Sequence, residues 1–239
     1  MASPRRHGRL ARPELTTPAE SRIALRVIPV HPDEPRKDRL ADAAACLERG
    51  GVIALPTETF YGLAADALSA AALDALNRIK HKPEGSPILL LLADAGQVLQ
   101  LVDRVPGSFQ VLVERFWPGP LTLVIPAADD LPTQISGGRG TVAVRVPGLA
   151  LPRRLAARLG RPISGVSANR FGGPPCRTAA EVASSLGEGL ELILDGGPAP
   201  GGRASTLLDL CGARPRILRE GQVPVSSLSP FLPDLELSL

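Results

Sequence analysis

This sequence is poor in aromatic residues and in histidine. Phe, Trp and Tyr make up 3% of its 239 residues, which argues against the stacking platforms that hold single-stranded nucleic acid. Two of the three His residues lie within the first 31 positions, which argues against a histidine-based mechanism. The chain also has no G-x-x-x-x-G-K-[ST], no Rossmann fingerprint and no G-x-S-x-G elbow. The remaining Lys, Arg, Ser, Thr, Asn and backbone amides suit an enzyme that binds phosphates and positions reactants without a covalent nucleophile.

Cysteine and long apolar runs are also scarce. Cys46, Cys176 and Cys211 are odd in number, widely spaced and match no metal-ligand pattern, which indicates a reducing compartment. No apolar run approaches the ~18 residues of a transmembrane helix, and the N-terminus lacks the apolar stretch of a secretory signal. We therefore expect a cytoplasmic protein that does not associate with membranes.

Positive charge is unevenly distributed along the chain. Residues 1–36 hold seven Arg against four acids, and residues 37–239 hold twenty basic and twenty acidic residues. The net charge of +3 therefore lies in the N-terminal segment. Residues 131–180 have eight Arg and no acid, which predicts a local positive field suited to phosphates or to an RNA backbone. An arginine-covered solvent face explains the same composition equally well.

The pattern of apolar residues predicts one α/β domain. Helical and strand patterns are interleaved without a linker, which is typical of a three-layer fold with helices covering a twisted mixed β-sheet. We predict a basic, disordered leader over residues 1–36, a catalytic domain over 37–222 and a tail or short appended element over 223–239. Predicted helices are DRLADAAACLERGG, SAAALDALNRIK capped by Ser69, PGSFQVLVERFW, LPRRLAARLG and TAAEVASSLG; predicted strands are VIAL, FYGLAAD, ILLLLA, LTLVIPA, TVAVRVP, RPISGV, LELILD, STLLDL and RPRILREG.

The stretch ALPTETFYGLAAD, residues 54–66, places several polar residues between two apolar strands. Within six positions it holds a Pro, two Thr, one Glu, a Phe and the only Tyr of the chain. Two interpretations are open. The stretch is a tight structural corner made by Pro56, or it is a break between strands whose hydroxyl groups line a pocket.

Lysine is the rarest basic residue, and its placement is informative. The chain has 24 Arg and three Lys, and two of the three are Lys80 and Lys82 at the end of one predicted helix. In a chain so biased to Arg, this pair suggests a site that requires a compact ammonium group. The alternative is that both lysines simply complement the helix dipole.

Polar side chains recur at the predicted ends of several strands. Ser167 and Asn169 follow the strand RPISGV, at the edge where α/β sheets usually bind ligands. Arg145 ends an apolar strand and is either an outward-facing residue or a clamp for a carboxylate or phosphate. Ser205 and Arg219 occupy comparable positions. Each residue is ambiguous alone, but together they predict that several strand ends converge on one anionic ligand.

Seven motifs follow one another along the chain: GVIALPTETFYGLAAD, KHKP, FWPGPLTLV, VAVRVPG, SGVSAN, ILDGGP and ILREG. In this order they resemble the YrdC/TsaC family of L-threonylcarbamoyladenylate synthases, over roughly residues 37–222. The segments PPCRT and GGR look most like the short, single-domain bacterial form, so we do not expect the extra C-terminal domain of the longer form.

The resemblance implies an ATP-dependent nucleotidyltransferase. Its reaction converts L-threonine, bicarbonate and ATP, with Mg2+, into threonylcarbamoyl-AMP and pyrophosphate. This is the first step towards threonylcarbamoyl-adenosine in tRNA, so the implied partners are downstream tRNA threonylcarbamoyl-transfer proteins, with tRNA or double-stranded RNA as further candidates.

The resemblance also implies site residues, although it assigns no metal ligands. L-Threonine binding falls to Thr57, Thr59, Tyr61, Arg145 and Ser205, with Arg145 clamping the carboxylate. ATP binding falls to Lys82, Ser86, Thr141, Ser167, Asn169 and Arg219. The catalytic set is Lys80, Lys82, Ser167 and Asn169.

Some positions depart from the family pattern. Lys82 replaces the usual Arg, which removes a bidentate fork but keeps the charge. Ser86 stands where many members have Asn, Leu91 where many longer members have His, and GGRAST lacks the acid of the VEST motif. Two other functions stay open: a carbamoyl-adenylate enzyme acting on another acceptor, like the related domain of hydrogenase-maturation carbamoyltransferases, and a non-catalytic double-stranded-RNA-binding module.

Overall fold

The computed structural model describes residues 24–83 and 85–237, and these form twelve strands and seven α-helices. The strands are β1 (Arg26–Pro29), β2 (Ile53–Pro56), β3 (Tyr61–Ala64), β4 (Leu89–Leu91), β5 (Leu121–Pro126), β6 (Thr141–Arg145), β7 (Ile163–Ser164), β8 (Val166–Ser167), β9 (Leu192–Asp195), β10 (Thr206–Asp209), β11 (Arg216–Arg219) and β12 (Glu236–Leu237). The helices are α1 (Lys37–Glu48), α2 (Ala70–Lys80), α3 (Phe109–Phe116), α4 (Thr133–Ser136), α5 (Ala150–Leu159), α6 (Ala179–Leu186) and α7 (Val225–Leu228), with 3-10 helices at Ala95–Gln100 and Ser229–Phe231. In this part of the chain no helix combines the length and the apolar character needed to cross a membrane.

The strands form two mixed sheets, so the predicted α/β class is confirmed, but the single sheet that we expected is replaced by two. One sheet has the order β1-β9-β2-β3-β8 and the other β12-β11-β10-β5-β6-β4-β7. Strands β7 and β8 are separated only by Gly165 and belong to different sheets. A Cβ atom at Gly165 would collide with the side chain of Leu91, so the crossing between the sheets requires glycine.

Two apolar clusters cover opposite faces of the first sheet. Leu residues of α1 and α5 pack with Ile53 and Leu55 of β2 in one cluster. Ala54 of the same strand packs in the other cluster, with residues of α2 and α6 such as Leu73 and Val182. Because side chains alternate across a strand, β2 is buried on both faces. This double burial explains its continuous apolar pattern in the sequence.

The predicted disordered leader is partly wrong, whereas the predicted tail or short appended element contains α7, a 3-10 helix and β12. Residues 26–29 form β1, which pairs in parallel with β9, and Ile28 packs against the cluster that contains α1. The four residues of β1 are too few for their apolar pattern to identify a strand, and its pairing partner β9 lies far along the chain. Residues 1–23 of the predicted leader lie outside the described residues. In the predicted tail, Leu228 and Leu232 are buried in the main core, and β12 pairs with β11.

The C-terminus of helix α2 lies at the candidate functional site. The predicted cap is confirmed, since the Ser69 Oγ accepts a hydrogen bond from the Ala72 amide at 3.3 Å. The helix ends at Lys80, and His81 follows with a left-handed φ of 50°. Lys82 therefore lies outside the helix, and the two lysines have different acceptors, Lys80 in the segment 167–169 and Lys82 at the Pro87 carbonyl.

Candidate functional site

One cavity of about 510 Å3 is lined by residues from both sheets and from the end of α2. Ten of the twelve predicted site residues line it, although they come from six separate segments of the chain. They are Thr57, Thr59, Tyr61, Lys80, Lys82, Arg145, Ser167, Asn169, Ser205 and Arg219. The predicted convergence of strand ends is therefore present, and the individual roles of these residues stay predictions.

The other two predicted residues, Ser86 and Thr141, do not line this cavity. The Ser86 amide donates to the Pro83 carbonyl at 3.3 Å, which makes Ser86 part of the loop before β4. Thr141 begins β6, four residues before Arg145, and four residues along a strand span roughly 13 Å. Neither residue contacts the cavity in this conformation, so their ATP-binding roles rest on the resemblance alone.

The turn between β2 and β3 combines a structural corner with a cavity wall. The Thr57 Oγ1 donates to the Phe60 carbonyl at 2.8 Å and accepts from the Thr59 amide at 3.2 Å. The Oγ1 atoms of Thr57 and Thr59 lie 2.9 Å apart. Thr57 is 3% exposed. The Thr57 hydroxyl therefore stabilises the turn through its own hydrogen bonds. The stretch is both a structural corner and a wall of the cavity, so both interpretations hold in part.

Tyr61 forms a fixed wall of the cavity. Its side chain is fully buried, and its hydroxyl donates to the Gly197 carbonyl at 2.8 Å and lies 3.3 Å from Asp195 Oδ1. Burial and the Asp195 carboxylate raise the pKa of Tyr61 above its ordinary value. The phenol is therefore neutral at physiological pH and acts as a structural link between β3 and the end of β9.

Arg145 is a buried cation with a single nearby carboxylate. Its side chain is 3% exposed, and its Nη1 lies 3.4 Å from Glu58 Oε1. Within the described residues, neither Arg145 Nε nor either Glu58 oxygen has a hydrogen-bond partner. Burial lowers the pKa of the Arg145 guanidinium, and Glu58 opposes this shift. Glu58 was not predicted as a site residue, although it is the only acid of the PTET motif.

Arg219, Ser205 and Thr122 form a second part of the same wall. Arg219 Nη2 donates to the Ser205 carbonyl at 3.0 Å, and Ser205 Oγ lies 2.9 Å from Thr122 Oγ1. Burial lowers the pKa of Arg219. Thr122 is 1% exposed and was not predicted, because a Thr inside an apolar strand resembles any other β-branched residue. We call Arg145, Glu58, Arg219, Ser205 and Thr122 the arginine group.

Lys80, Lys82, Ser167 and Asn169 form the lysine group. Lys80 is 5% exposed and donates to the Ser167 carbonyl at 2.5 Å, to the Asn169 carbonyl at 2.9 Å and to Asn169 Oδ1 at 3.2 Å. Lys82 Nζ donates to the Pro87 carbonyl at 2.7 Å. Burial lowers the pKa of both lysines to about 8, and the charge of Lys82 also lowers that of Lys80.

The cavity is cationic. Two Lys and two Arg line it, and no Asp or Glu is among its described lining residues. Across residues 24–83 and 85–237, no cluster of three or more His, Cys, Asp and Glu side chains is placed to hold a metal ion. The described side chains therefore suit a ligand with several negative charges, and they do not form a dedicated metal site.

The fold and the cavity define an α/β protein with one cationic cavity lined by residues of both sheets. The chain belongs to the Sua5/YciO/YrdC family, since the family model, described as telomere recombination, matches residues 45–221.

Individual relatives agree with this assignment. The chain is 36% identical over 82% of its length to a threonylcarbamoyl-AMP synthase of Pyrococcus abyssi, and it spans 57% of that relative. It is 40% identical over 78% of its length to a threonylcarbamoyl-AMP synthase of Thiobacillus denitrificans and spans 97% of it. The structure of P. abyssi Sua5 complexed with L-threonine matches with a TM-score of 0.84 and 34% identity, over 89% of this chain and 62% of that one.

Proposed function

We propose that this protein is a transferase that makes L-threonylcarbamoyl-AMP and pyrophosphate from L-threonine, bicarbonate and ATP. The observation that carries the proposal is a single cavity that is lined by the lysine group and by the arginine group apart from Glu58. A buried guanidinium suits the planar carboxylate of an amino acid, whereas a lysine pair suits a polyphosphate. The family relationship and the activity for which its relatives are named, threonylcarbamoyl-AMP synthesis, support the same substrates.

The proposed chemistry needs positioning and charge stabilisation. The threonine amine attacks carbon dioxide, released from bicarbonate with loss of hydroxide, and gives up a proton to form a carbamate. A carbamate oxygen then attacks the α-phosphorus of ATP, and the bond to the β-phosphate oxygen breaks to release pyrophosphate. In this scheme Arg145 holds the threonine carboxylate, while Lys82, Ser167 and Arg219 stabilise charge on the phosphates.

Mg2+ is proposed to enter with ATP. Mg2+ commonly binds through substrate phosphates and retains several water ligands, which agrees with the lack of a metal-binding cluster among the described side chains. The ion would neutralise part of the phosphate charge, and the residues of the cavity would orient the metal-nucleotide complex.

The wider context is also a proposal. The product is a mixed anhydride, which water hydrolyses. A transferase acting on tRNA must therefore use it before hydrolysis, which implies downstream tRNA threonylcarbamoyl-transfer proteins. We also propose a cytoplasmic location. Direct contact with tRNA or double-stranded RNA would use the arginines of residues 131–180, several of which are exposed.

The proposal is tested by measuring pyrophosphate release with ATP, Mg2+ and bicarbonate, in the presence of threonine, serine or no amino acid. We expect release that requires threonine and bicarbonate. Equal release without an amino acid, or no release under any condition, would contradict the proposed function. Preference for a different acceptor would favour the alternative carbamoyl-adenylate enzyme.

A further inference from the structure

Phe171 is the exposed aromatic side chain of this protein. The chain has five Phe, one Trp and one Tyr, all within the described residues, and the others are buried or half-buried. Phe171 is 57% exposed and is one of the residues that line the cavity. Burying a ring of this size in the core would stabilise the fold, so packing does not explain why this ring is exposed to solvent.

The loop that carries Phe171 is held on both sides of the ring. The Phe171 amide donates to the Lys80 carbonyl at 2.9 Å, and Asn169 Nδ2 donates to the carbonyls of Arg170 and Gly173 at 2.8 Å each. A Cβ atom at Gly172 would meet no atom within 4 Å beyond its chain neighbours. The loop therefore presents an exposed ring from a fixed backbone, with room beside it for a flat ligand.

The position of the ring beside the lysine group restricts which ligand can cover it. Phe171 follows Asn169 by two residues, and its amide is hydrogen-bonded to Lys80. Gly172 and Pro175 are further uncharged lining residues of the same loop. A ligand that contacts both the loop and the lysine group must combine phosphate charge with a flat, apolar ring, and a nucleotide has this composition.

One exposed ring suits one base. Proteins that bind single-stranded nucleic acid stack successive bases on several aromatic side chains, whereas the other aromatic residues of this chain are not exposed. The base of a mononucleotide needs a single aromatic partner. The observations therefore favour a nucleotide over a strand of RNA as the ligand of Phe171.

We propose that Phe171 stacks on the base of the bound nucleotide and thereby sets how strongly this protein prefers a purine. The inference rests on the proposed function, which places a nucleoside triphosphate in this cavity. Stacking uses the π-face that every base has, and a purine offers a larger face than a pyrimidine does. A purine therefore gains more from Phe171 than a pyrimidine gains.

Calorimetry with ATP, UTP and inorganic tripolyphosphate, each with Mg2+ and without an amino acid, tests this contact. Tripolyphosphate carries the phosphates without a base, so it reports on the cationic groups alone. Phe171→Ala removes the ring, and Phe171→Trp replaces it with a larger aromatic face. Leu99→Ala is the matched control, since Leu99 is 74% exposed and does not line the cavity.

We expect Phe171→Ala to weaken binding of ATP by about fivefold or more, the lower end of the loss when the aromatic partner of a base is removed. Binding of tripolyphosphate should change by less than about twofold, and the difference in affinity between ATP and UTP should narrow. Phe171→Trp should bind ATP at least as tightly as the natural protein does. Leu99→Ala should bind all three probes with unchanged affinity.

Two results would overturn the proposal. Equal losses of affinity for ATP and for tripolyphosphate in Phe171→Ala would show that Phe171 only supports the loop beside the lysine group. Unchanged affinity for ATP in Phe171→Ala would show that the ring does not contact the base. In the second case, weaker binding of a tRNA anticodon stem-loop by Phe171→Ala would assign the ring to RNA instead.

A spectroscopic measurement covers the case in which Phe171→Ala fails to fold. ATP should quench the emission of the indole introduced by Phe171→Trp, after subtraction of the Trp117 signal of the natural protein, whereas tripolyphosphate should not. Quenching by neither probe, or equally by both, would contradict the stacking contact.

The outcomes also separate this inference from the proposed function. If the natural protein bound neither ATP nor tripolyphosphate, both would fail. The expected loss of ATP affinity in Phe171→Ala, together with threonine-independent pyrophosphate release, would contradict only the proposed function. Threonine-dependent release with unchanged ATP affinity in Phe171→Ala would contradict only this inference.

Discussion

Arg145 of the arginine group and Lys80 of the lysine group are both buried cations, but their surroundings compensate burial in opposite ways. Arg145 is neutralised by the neighbouring Glu58, and both retain unmade hydrogen bonds within the described residues. Lys80 is surrounded by neutral oxygens and has no carboxylate among its hydrogen-bond partners, yet all three of its donors are used. Arg145 therefore has a neutralised charge and free donors, whereas Lys80 has a charge without a neighbouring carboxylate and no free donor.

This difference indicates how each group would meet an anion. At the arginine group, a carboxylate can pair with a guanidinium that retains an unpartnered donor, which favours a specific planar geometry. At the lysine group, a polyphosphate supplies negative charge that the protein itself does not provide. The first arrangement favours recognition of shape, and the second favours recognition of charge.

Removing Arg145 should have the largest effect. Arg145→Met should lower kcat/KM for threonine at least tenfold, about 1.4 kcal/mol. It should also destabilise the fold by about 3–5 kcal/mol, because Glu58 becomes an uncompensated buried charge. Denaturant titration and initial rates measure the two effects.

Arg145→Met combined with Glu58→Gln provides the control. Stability should largely return while activity stays low, since the double variant removes the unpaired carboxylate but not the need for a guanidinium. Recovery of activity in the double variant would show that Arg145 serves only to neutralise Glu58.

Raising the pH should weaken anion binding by the lysine group but not by the arginine group. With pKa values of about 8 in the unliganded protein, Lys80 and Lys82 lose charge as the pH rises through 8. Affinity for ATP should then fall by up to about tenfold per pH unit for each lysine that needs its proton. Calorimetry from pH 7 to 10 measures this slope, and Lys82→Met should reduce it.

The same lysines should affect stability in the opposite direction. Their pKa in the unfolded chain is about 10.4, so between pH 8 and that value the unfolded state binds more protons than the folded state. Their contribution to the free energy of unfolding therefore increases as the pH rises through this window. Comparison with Lys82→Met isolates this contribution from other titrating groups, and a stability that falls equally in both proteins would contradict the expected sign.

A smaller effect is expected inside the arginine group from Thr122→Val. The change keeps the shape of the side chain but removes the hydroxyl that lies 2.9 Å from Ser205 Oγ. Loss of this buried hydrogen bond should cost about 1–2 kcal/mol of stability and raise KM for threonine more than KM for ATP. Equal changes in both constants would show that the Thr122–Ser205 pair does not belong to the threonine side.

Lys82→Arg should have the smallest effect. The guanidinium keeps the charge and restores the residue that the family usually has, so we expect turnover within about threefold of the natural protein, or higher. A tenfold loss in initial rate would instead show that this cavity is adapted to lysine.

Much of the site was predictable from local patterns. The lysine pair, the polar residues after strands and the break between β2 and β3 are local features, and ten of twelve predicted residues line the cavity. Ser86 and Thr141 do not, because sequence order places a residue near a strand but does not determine where the cavity lies along it. The α2 cap was also predictable, since it joins residues only three positions apart.

The hydrogen-bond partners of these residues depend on the tertiary structure. Thr122 and Ser205 are 83 positions apart, and Lys80 and Asn169 are 89 apart, so no local pattern indicates that they share hydrogen bonds. Strand β1 could not be predicted for the same reason, because its partner β9 is distant in the sequence: Arg26 pairs with Leu192. The available chemical groups and the longer helices and strands follow from residue type and local periodicity, so they could be predicted without the structure. Each polar side chain either hydrogen-bonds within the protein or remains available to a ligand. Which of the two occurs depends on partners that only folding brings within hydrogen-bond distance.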